Sequence, residues 1–192
     1  MGHTIALLLG SVRRERAGIR AAEFMRHTLE ERGHRVHFID PVVYPLPLLD
    51  KMYKEFKPGE APAVMQNIAG MLTAADGIML VTAEYNHSIP PALKNTMDHF
   101  QREYYFKPAG ICSYSAGRFG GSHAAIHLRV VCGELGMVSI SSILTIAQIT
   151  KAIDAEGKPL DEKLPARADR FLREFEWYVD ALTKARANGE PF

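Results

Sequence analysis

The chain has 192 residues, 47% hydrophobic and 23% charged, the proportions of an ordinary folded domain, which excludes a disordered, collagen-like or coiled-coil chain. Twenty-three Lys and Arg against 22 Asp and Glu leave a net charge of +1, so no whole-molecule field favours nucleic acid or an anionic membrane as a partner. Two cysteines, Cys112 and Cys132, are too few for a disulfide framework and lack C-x-x-C spacing, which points to a reducing cytoplasm and to buried, inert thiols.

The length predicts one domain spanning residues 1–192. Residues 4–9, Thr-Ile-Ala-Leu-Leu-Leu, are apolar without alternation, as in a strand buried on both faces. They do not read as a signal peptide, since only His3 precedes them as a basic group and no small-residue cleavage site follows. Residues 17–32 set Ala22, Met25 and Leu29 on one helical face and stop at Gly33. A second strand is predicted over 35–39, then an irregular segment over 41–61, then a helix over 62–74. The apolar and aromatic residues of 41–61 need a partner surface: a flap beside a site, a subunit contact, or their own domain.

A third strand follows at 77–82. Ser88 is then expected to cap a helix with Pro90 or Pro91 in its first turn and Leu93, Met97 and Phe100 on one face. The fourth strand is 109–114, and the next helix carries Ala125, Leu128, Cys132 and Leu135 before Gly136. Residues 137–146 alternate as an edge strand does, and a last helix over 161–186 presents Leu164, Ala168, Phe171, Phe175, Tyr178 and Leu182 as one stripe. Nowhere do 18 apolar residues run together, so no membrane span is expected.

This alternation predicts an α/β, flavodoxin-like three-layer sandwich: a five-stranded parallel sheet in the order 2-1-3-4-5 with helices on both faces. Ligands in such sheets bind beyond the carboxyl ends of the strands, where the strand order reverses. The loops that matter are then 10–18, 83–88 and 115–121.

The first loop, Gly10-Ser11-Val12-Arg13-Arg14-Glu15-Arg16-Ala17-Gly18, joins a buried strand to a helix. Free N–H groups and the positive helix end converge there, which suits a phosphate, and Ser11, Arg13 and Arg16 add donors. Gly18 permits close approach. The loop has neither the Walker spacing nor G-x-G-x-x-G. The second loop, Ala83-Glu84-Tyr85-Asn86-His87-Ser88, offers backbone groups, an aromatic ring and an amide to a flat heterocycle. In the third, Ser113-Tyr114-Ser115-Ala116-Gly117-Arg118-Phe119-Gly120-Gly121, glycines allow the chain to follow a ring edge, with Ser113 and Ser115 as donors. His123 and His127 stand four apart but lack the H-E-x-x-H glutamate, so no metal site is assigned. Asp98 and His99, adjacent on a helix, point apart.

Taken together, Gly10-Ser11-Val12-Arg13, the run Glu84-Tyr85-Asn86-His87-Ser88-Ile89-Pro90 with Leu93-Lys94-Asn95, and the late Gly-rich loop resemble the NADPH-dependent FMN reductases, a group that includes quinone, azo and chromate reductases. The resemblance spans roughly residues 4–150, and Leu46-Pro47-Leu48 shares it. Ala83 stands where members often have Pro, His87 where Gly is common, and Arg16 where one branch has Ser.

The resemblance implies that Ser11, Arg13, Arg16 and Gly18 surround the FMN phosphate. It implies that Glu84, Tyr85, Asn86 and His87 face the isoalloxazine through backbone groups, and that Ser113, Tyr114, Ser115 and Gly117 close its other edge. It further implies hydride transfer from NADPH or NADH through FMN to a small-molecule acceptor, no catalytic side chain, and a homodimer or homotetramer. His87 is the one side chain open to tuning the flavin or relaying a proton. Two other readings stay open on the residues alone: a flavodoxin-like electron carrier, and a nucleotide-binding regulator that uses only the first loop.

Overall fold

A computed structural model describes residues 2–192. Five strands, β1 (Thr4–Leu9), β2 (Arg35–Ile39), β3 (Gly77–Thr82), β4 (Pro108–Tyr114) and β5 (Val138–Ile146), form one sheet in the order β2-β1-β3-β4-β5. Every pairing is parallel, as strands joined by helical crossovers require. The expected strand order is therefore observed.

Alternation along each strand divides the core. Ile5, Leu7 and Leu9 of β1, with Met79, Val81, Cys112 and Tyr114, pack beneath α1 (Gly18–Glu31), α5 (Ile149–Ala152) and α6 (Leu164–Ala187). Ala6 and Leu8, with Ile78, Leu80, Ala109 and Ile111, pack beneath α2 (Ala63–Ala74), α3 (Pro91–Asp98) and α4 (Ser122–Glu134). Both faces of the central strands are dry, which is why their sequences read as unbroken apolar runs. Cys112 and Cys132 are free and buried, and burial pushes both thiols up to about 12.

The edge strand β5 carries a register shift between Ala109 and Ile111 of its neighbour. Glu174 of α6 fills the irregularity, accepting from the N–H groups of Ser141 (2.9 Å) and Ser142 (3.2 Å) and from the Ser142 hydroxyl. In α6 the buried stripe is Leu164, Ala168, Phe171, Leu172, Phe175 and Val179. Tyr178 and Leu182, expected in that stripe, are only half-buried. The short helix α5 was not anticipated from sequence.

Ser88 does not cap α3. The helix starts at Pro91 with Pro90 at its cap position, because Ser88 is held in a turn: Tyr85 N–H donates to Ser88 O and Ser88 N–H to Tyr85 O, both at 3.0 Å. The Ser88 hydroxyl instead faces His127 Nδ1 at 3.2 Å.

Segment 41–61 divides its surface. Tyr44, Leu46, Tyr53 and Phe56 pack on the α2–α3 core. Asn95 of α3 clamps the chain above it, donating to Pro47 O (2.7 Å) and accepting from Leu49 N–H (3.0 Å). Val42, Val43 and Leu48 remain exposed, Leu48 at 84%.

Candidate functional site

The carboxyl ends of β1, β3 and β4 open on a cavity of about 550 Å³. It is walled by Ser11, Arg13, Arg14, Glu15, Arg16 and Ala17 from the first loop, Ala83, Glu84 and Tyr85 from the second, Tyr114, Ser115 and Ala116 from the third, and Ile149. The cavity sits where the strand order reverses between β1 and β3, and its size is that of a small-molecule site.

In the first loop, the N–H groups of Val12, Arg14, Glu15, Arg16 and Ala17 donate to no acceptor among the described residues. Arg13 and Arg14 are exposed and make no ion pair there. This is the electrostatic profile of an anion cradle at a helix N-terminus. Arg16 differs from its neighbours. Its guanidinium donates to both carboxylate oxygens of Asp40, at the end of β2, and to Ser11 O at 2.9 Å. Both side chains are mostly buried, Arg16 15% and Asp40 7% exposed. The pair braces the loop, so Arg16 lines the cavity with its charge already matched.

Ser11 is buried, and its hydroxyl meets the Tyr85 hydroxyl at 2.8 Å, which ties the first loop to the second. Beyond Tyr85 the chain reverses through Asn86 (φ 49°) and His87 (φ 64°). Two consecutive left-handed residues closed by the Tyr85–Ser88 pair make a type I′ turn, a conformation that Asn tolerates and a bulky residue resists. Glu84 points the other way, to the start of α4. Its Oε2 accepts from His123 N–H (2.9 Å) and Ala124 N–H (3.3 Å), and its Oε1 meets His123 Nδ1 at 3.2 Å. Burial pushes the carboxyl up, but the Ala124 N–H and then the His123 ring and N–H outweigh it and hold it below the ordinary range.

Tyr114 closes the floor. Its hydroxyl is buried without a hydrogen-bond partner, and burial raises its pKa. A Cβ at Gly18 would lie 1.8 Å from that oxygen, so Gly18 makes room for Tyr114. In the third loop, Gly121 (φ 77°) begins α4, where a side chain would strike Tyr114 O at 2.9 Å.

A family model described as NADPH-dependent FMN reductase matches residues 3–151. The chain is 31% identical over 185 residues to a 2-hydroxy-1,4-benzoquinone reductase from a Burkholderia species, covering 93% of this chain and 97% of that protein. This chain belongs to the NADPH-dependent FMN reductase family. The reductase is also 32% identical over 146 residues to an NADPH:quinone oxidoreductase of Arabidopsis thaliana, covering 73% of this chain and 72% of that one. Its fold matches that of FerB, a flavoenzyme NAD(P)H:(acceptor) oxidoreductase from Paracoccus denitrificans, with a TM-score of 0.71, 24% identity, and 95% and 98% of the two chains covered. The cofactors of the family are FMN and NAD(P)H, and the reductase is an oxidoreductase of that type.

Of the residues singled out from the sequence, the reductase brings Ser11, Arg13, Arg16, Glu84, Tyr85, Tyr114 and Ser115 to the cavity wall. Gly18, Asn86, His87, Ser113 and Gly117 lie outside that wall. Gly18 is beneath Tyr114, and Asn86 and His87 form the exposed tip of the second loop. Ser113 is buried beside Gly121, its hydroxyl unpartnered. Gly117 accepts at its carbonyl from the Ser115 hydroxyl and from Gln148 N–H, both at 3.0 Å. Sequence reasoning missed Asp40 and His123. An acidic residue ending β2 beside a basic loop is a usable signal for the first, whereas His123 meets Glu84 only because the sheet sets β3 and β4 side by side.

Proposed function

We propose that the reductase holds FMN in this cavity, phosphate in the first loop and ring against the second and third, and passes electrons from NAD(P)H to a quinone-type acceptor. The observation that carries this reading is the row of five undonated N–H groups beside Arg13 and Arg14 in a cavity shared by all three loops. The donor set fits the cofactor: amides and guanidinium groups for a phosphate at one end, hydroxyls and peptide edges for a heterocycle at the other. FMN supplies the redox chemistry when bound, taking hydride from the nicotinamide and returning electrons to the acceptor.

The protein's part is then positioning. The first loop binds the phosphate while Asp40 keeps Arg16 in place. Tyr114 floors the cavity with its ring, its hydroxyl sealed beneath Gly18. The second loop meets the ring through Ala83, Glu84 and Tyr85, which line the cavity. Glu84 stays ionised within the cap of α4, so it supplies no proton to the acceptor. Quinone-type acceptors are favoured because the two relatives described above are a benzoquinone reductase and a quinone oxidoreductase.

The exposed Val42, Val43 and Leu48 support a homodimer or homotetramer with segment 41–61 in the contact, which light scattering on the eluted protein tests. Buried free thiols accord with a cytoplasmic setting. Among the described residues no helix is long and apolar enough to cross a membrane. The acceptor is tested by steady-state NADPH oxidation with 1,4-benzoquinone, an azo dye and free FMN in parallel. Quinone is expected to give the highest kcat/KM, and oxidation unaffected by quinone overturns the assignment.

A further inference from the structure

At the rim of the cavity, whose wall includes Glu84, the fold assembles a group of side chains that flavin chemistry leaves unused. Glu84, His87 and His123 each offer one ligand atom, and these atoms all lie within 4.8 Å of one another. They come from two elements: Glu84 and His87 from the loop after β3, His123 from the first turn of α4. The glutamate divides its work. Oε2 caps the helix through two N–H groups, while Oε1 meets only His123 Nδ1, at 3.2 Å. The His87 and His123 rings stack 4.1 Å apart at 23°. Both are open to solvent, His87 on the tip of its turn and His123 with 43% of its side chain exposed.

We propose that Glu84, His87 and His123 bind a divalent cation of borderline softness, Zn²⁺ foremost, that fastens the tip of the second loop to the start of α4. Two imidazoles and one carboxylate suit Zn²⁺ and disfavour the all-oxygen cations. Ligands at about 2.0–2.1 Å around a tetrahedral ion stand about 3.3 Å from one another. The separation between Oε1 and Nδ1, 3.2 Å, already has that length. No separation exceeds 4.8 Å, so at most about 1.5 Å must close, and because lone pairs of stacked rings lie in their planes and do not converge, the exposed His87 ring turns out of its stack on His123 to bind. The ion binds Nδ1 of His123 with that ring's hydrogen on Nε2, and water completes the fourth position. The spacing of His123 and His127 on one helix suggests a different pair, but His127 Nδ1 faces the Ser88 hydroxyl and lies outside the group.

The test is calorimetric titration of Zn²⁺ into the full chain, first as purified and then after saturation with FMN. One saturable site is expected in both, because the inference does not depend on the flavin reading. His87→Gly, which suits the left-handed backbone and preserves the turn, and His123→Ala should each weaken binding by about 10- to 100-fold or more. His127→Ala should leave it unchanged. Thermal melts of each variant verify the fold. Absence of saturable binding overturns the proposal. So does loss of binding in His127→Ala with wild-type affinity in His87→Gly, which assigns the ion to the helix pair.

Discussion

Replacing Asp40 with Ala probes the brace under the phosphate loop. The carboxylate takes both Arg16 nitrogens and the Val42 N–H at 2.9 Å. Truncation therefore leaves a largely buried guanidinium with only the Ser11 carbonyl. Removing one partner of a fully buried ion pair costs about 3–5 kcal/mol. Arg16 retains 15% exposure and a cavity into which water can follow it, which reduces the expected cost to about 2–4 kcal/mol. For a chain of this length each kcal/mol lowers Tm by about 2–4 °C, so Asp40→Ala should melt about 4–16 °C below wild type in circular dichroism scans of flavin-free protein. Arg16→Ala should cost a comparable amount, and the double variant clearly less than the sum, with a coupling of at least ~1 kcal/mol. Strictly additive losses, or an Asp40→Ala melt within about 1 °C of wild type, would refute the brace.

Three further outcomes follow from the same contacts. Tyr114→Phe removes a buried hydroxyl that has no partner, so flavin-free protein should be unchanged or up to about 1 kcal/mol more stable. FMN affinity by fluorescence titration should be unchanged, because the hydroxyl is sealed from the cavity by Gly18. Asn95→Ala should raise amide hydrogen exchange at Leu49 at a cost of about 0.5–1.5 kcal/mol, because Asn95 accepts from that N–H while donating to Pro47 O. Glu84, Glu174 and Glu176 are all held below their usual 4.5. Their stabilisation is complete above that value and is lost as pH falls through the lower folded-state values. The contribution of these three to Tm should therefore be flat through neutrality and fall in acid below about 4.5, so that the acid slope is shallower in Glu176→Gln; an equal slope in that variant counts against it.

Strand order, helix positions and the three loops were legible in the sequence because each rests on local pattern: unbroken apolar runs, helical spacing and glycine stops. What the sequence hid depends on neighbours brought together by the sheet. Ser88 looked like a helix cap because capping chemistry is local, yet its backbone is taken by Tyr85 and the helix waits until Pro91. Arg16 looked like a phosphate ligand among basic residues, but β2 brings Asp40 beside it. Gly18 was read as room for a ligand and makes room for the Tyr114 ring. His123, set aside with His127, is joined to Glu84 across 39 residues by the adjacency of β3 and β4. The long segment was open among three partners, and its inner aromatics chose their own domain while its tip stayed exposed.

The central claim, electron transfer through FMN held by the three loops, is tested most directly by the visible absorption spectrum of the purified protein under anaerobic conditions. An oxidised flavin spectrum that bleaches on addition of NADPH and returns on addition of 1,4-benzoquinone is the predicted result. A protein that takes up no flavin even after incubation with FMN, or whose bound flavin fails to bleach with NADPH or NADH, contradicts it.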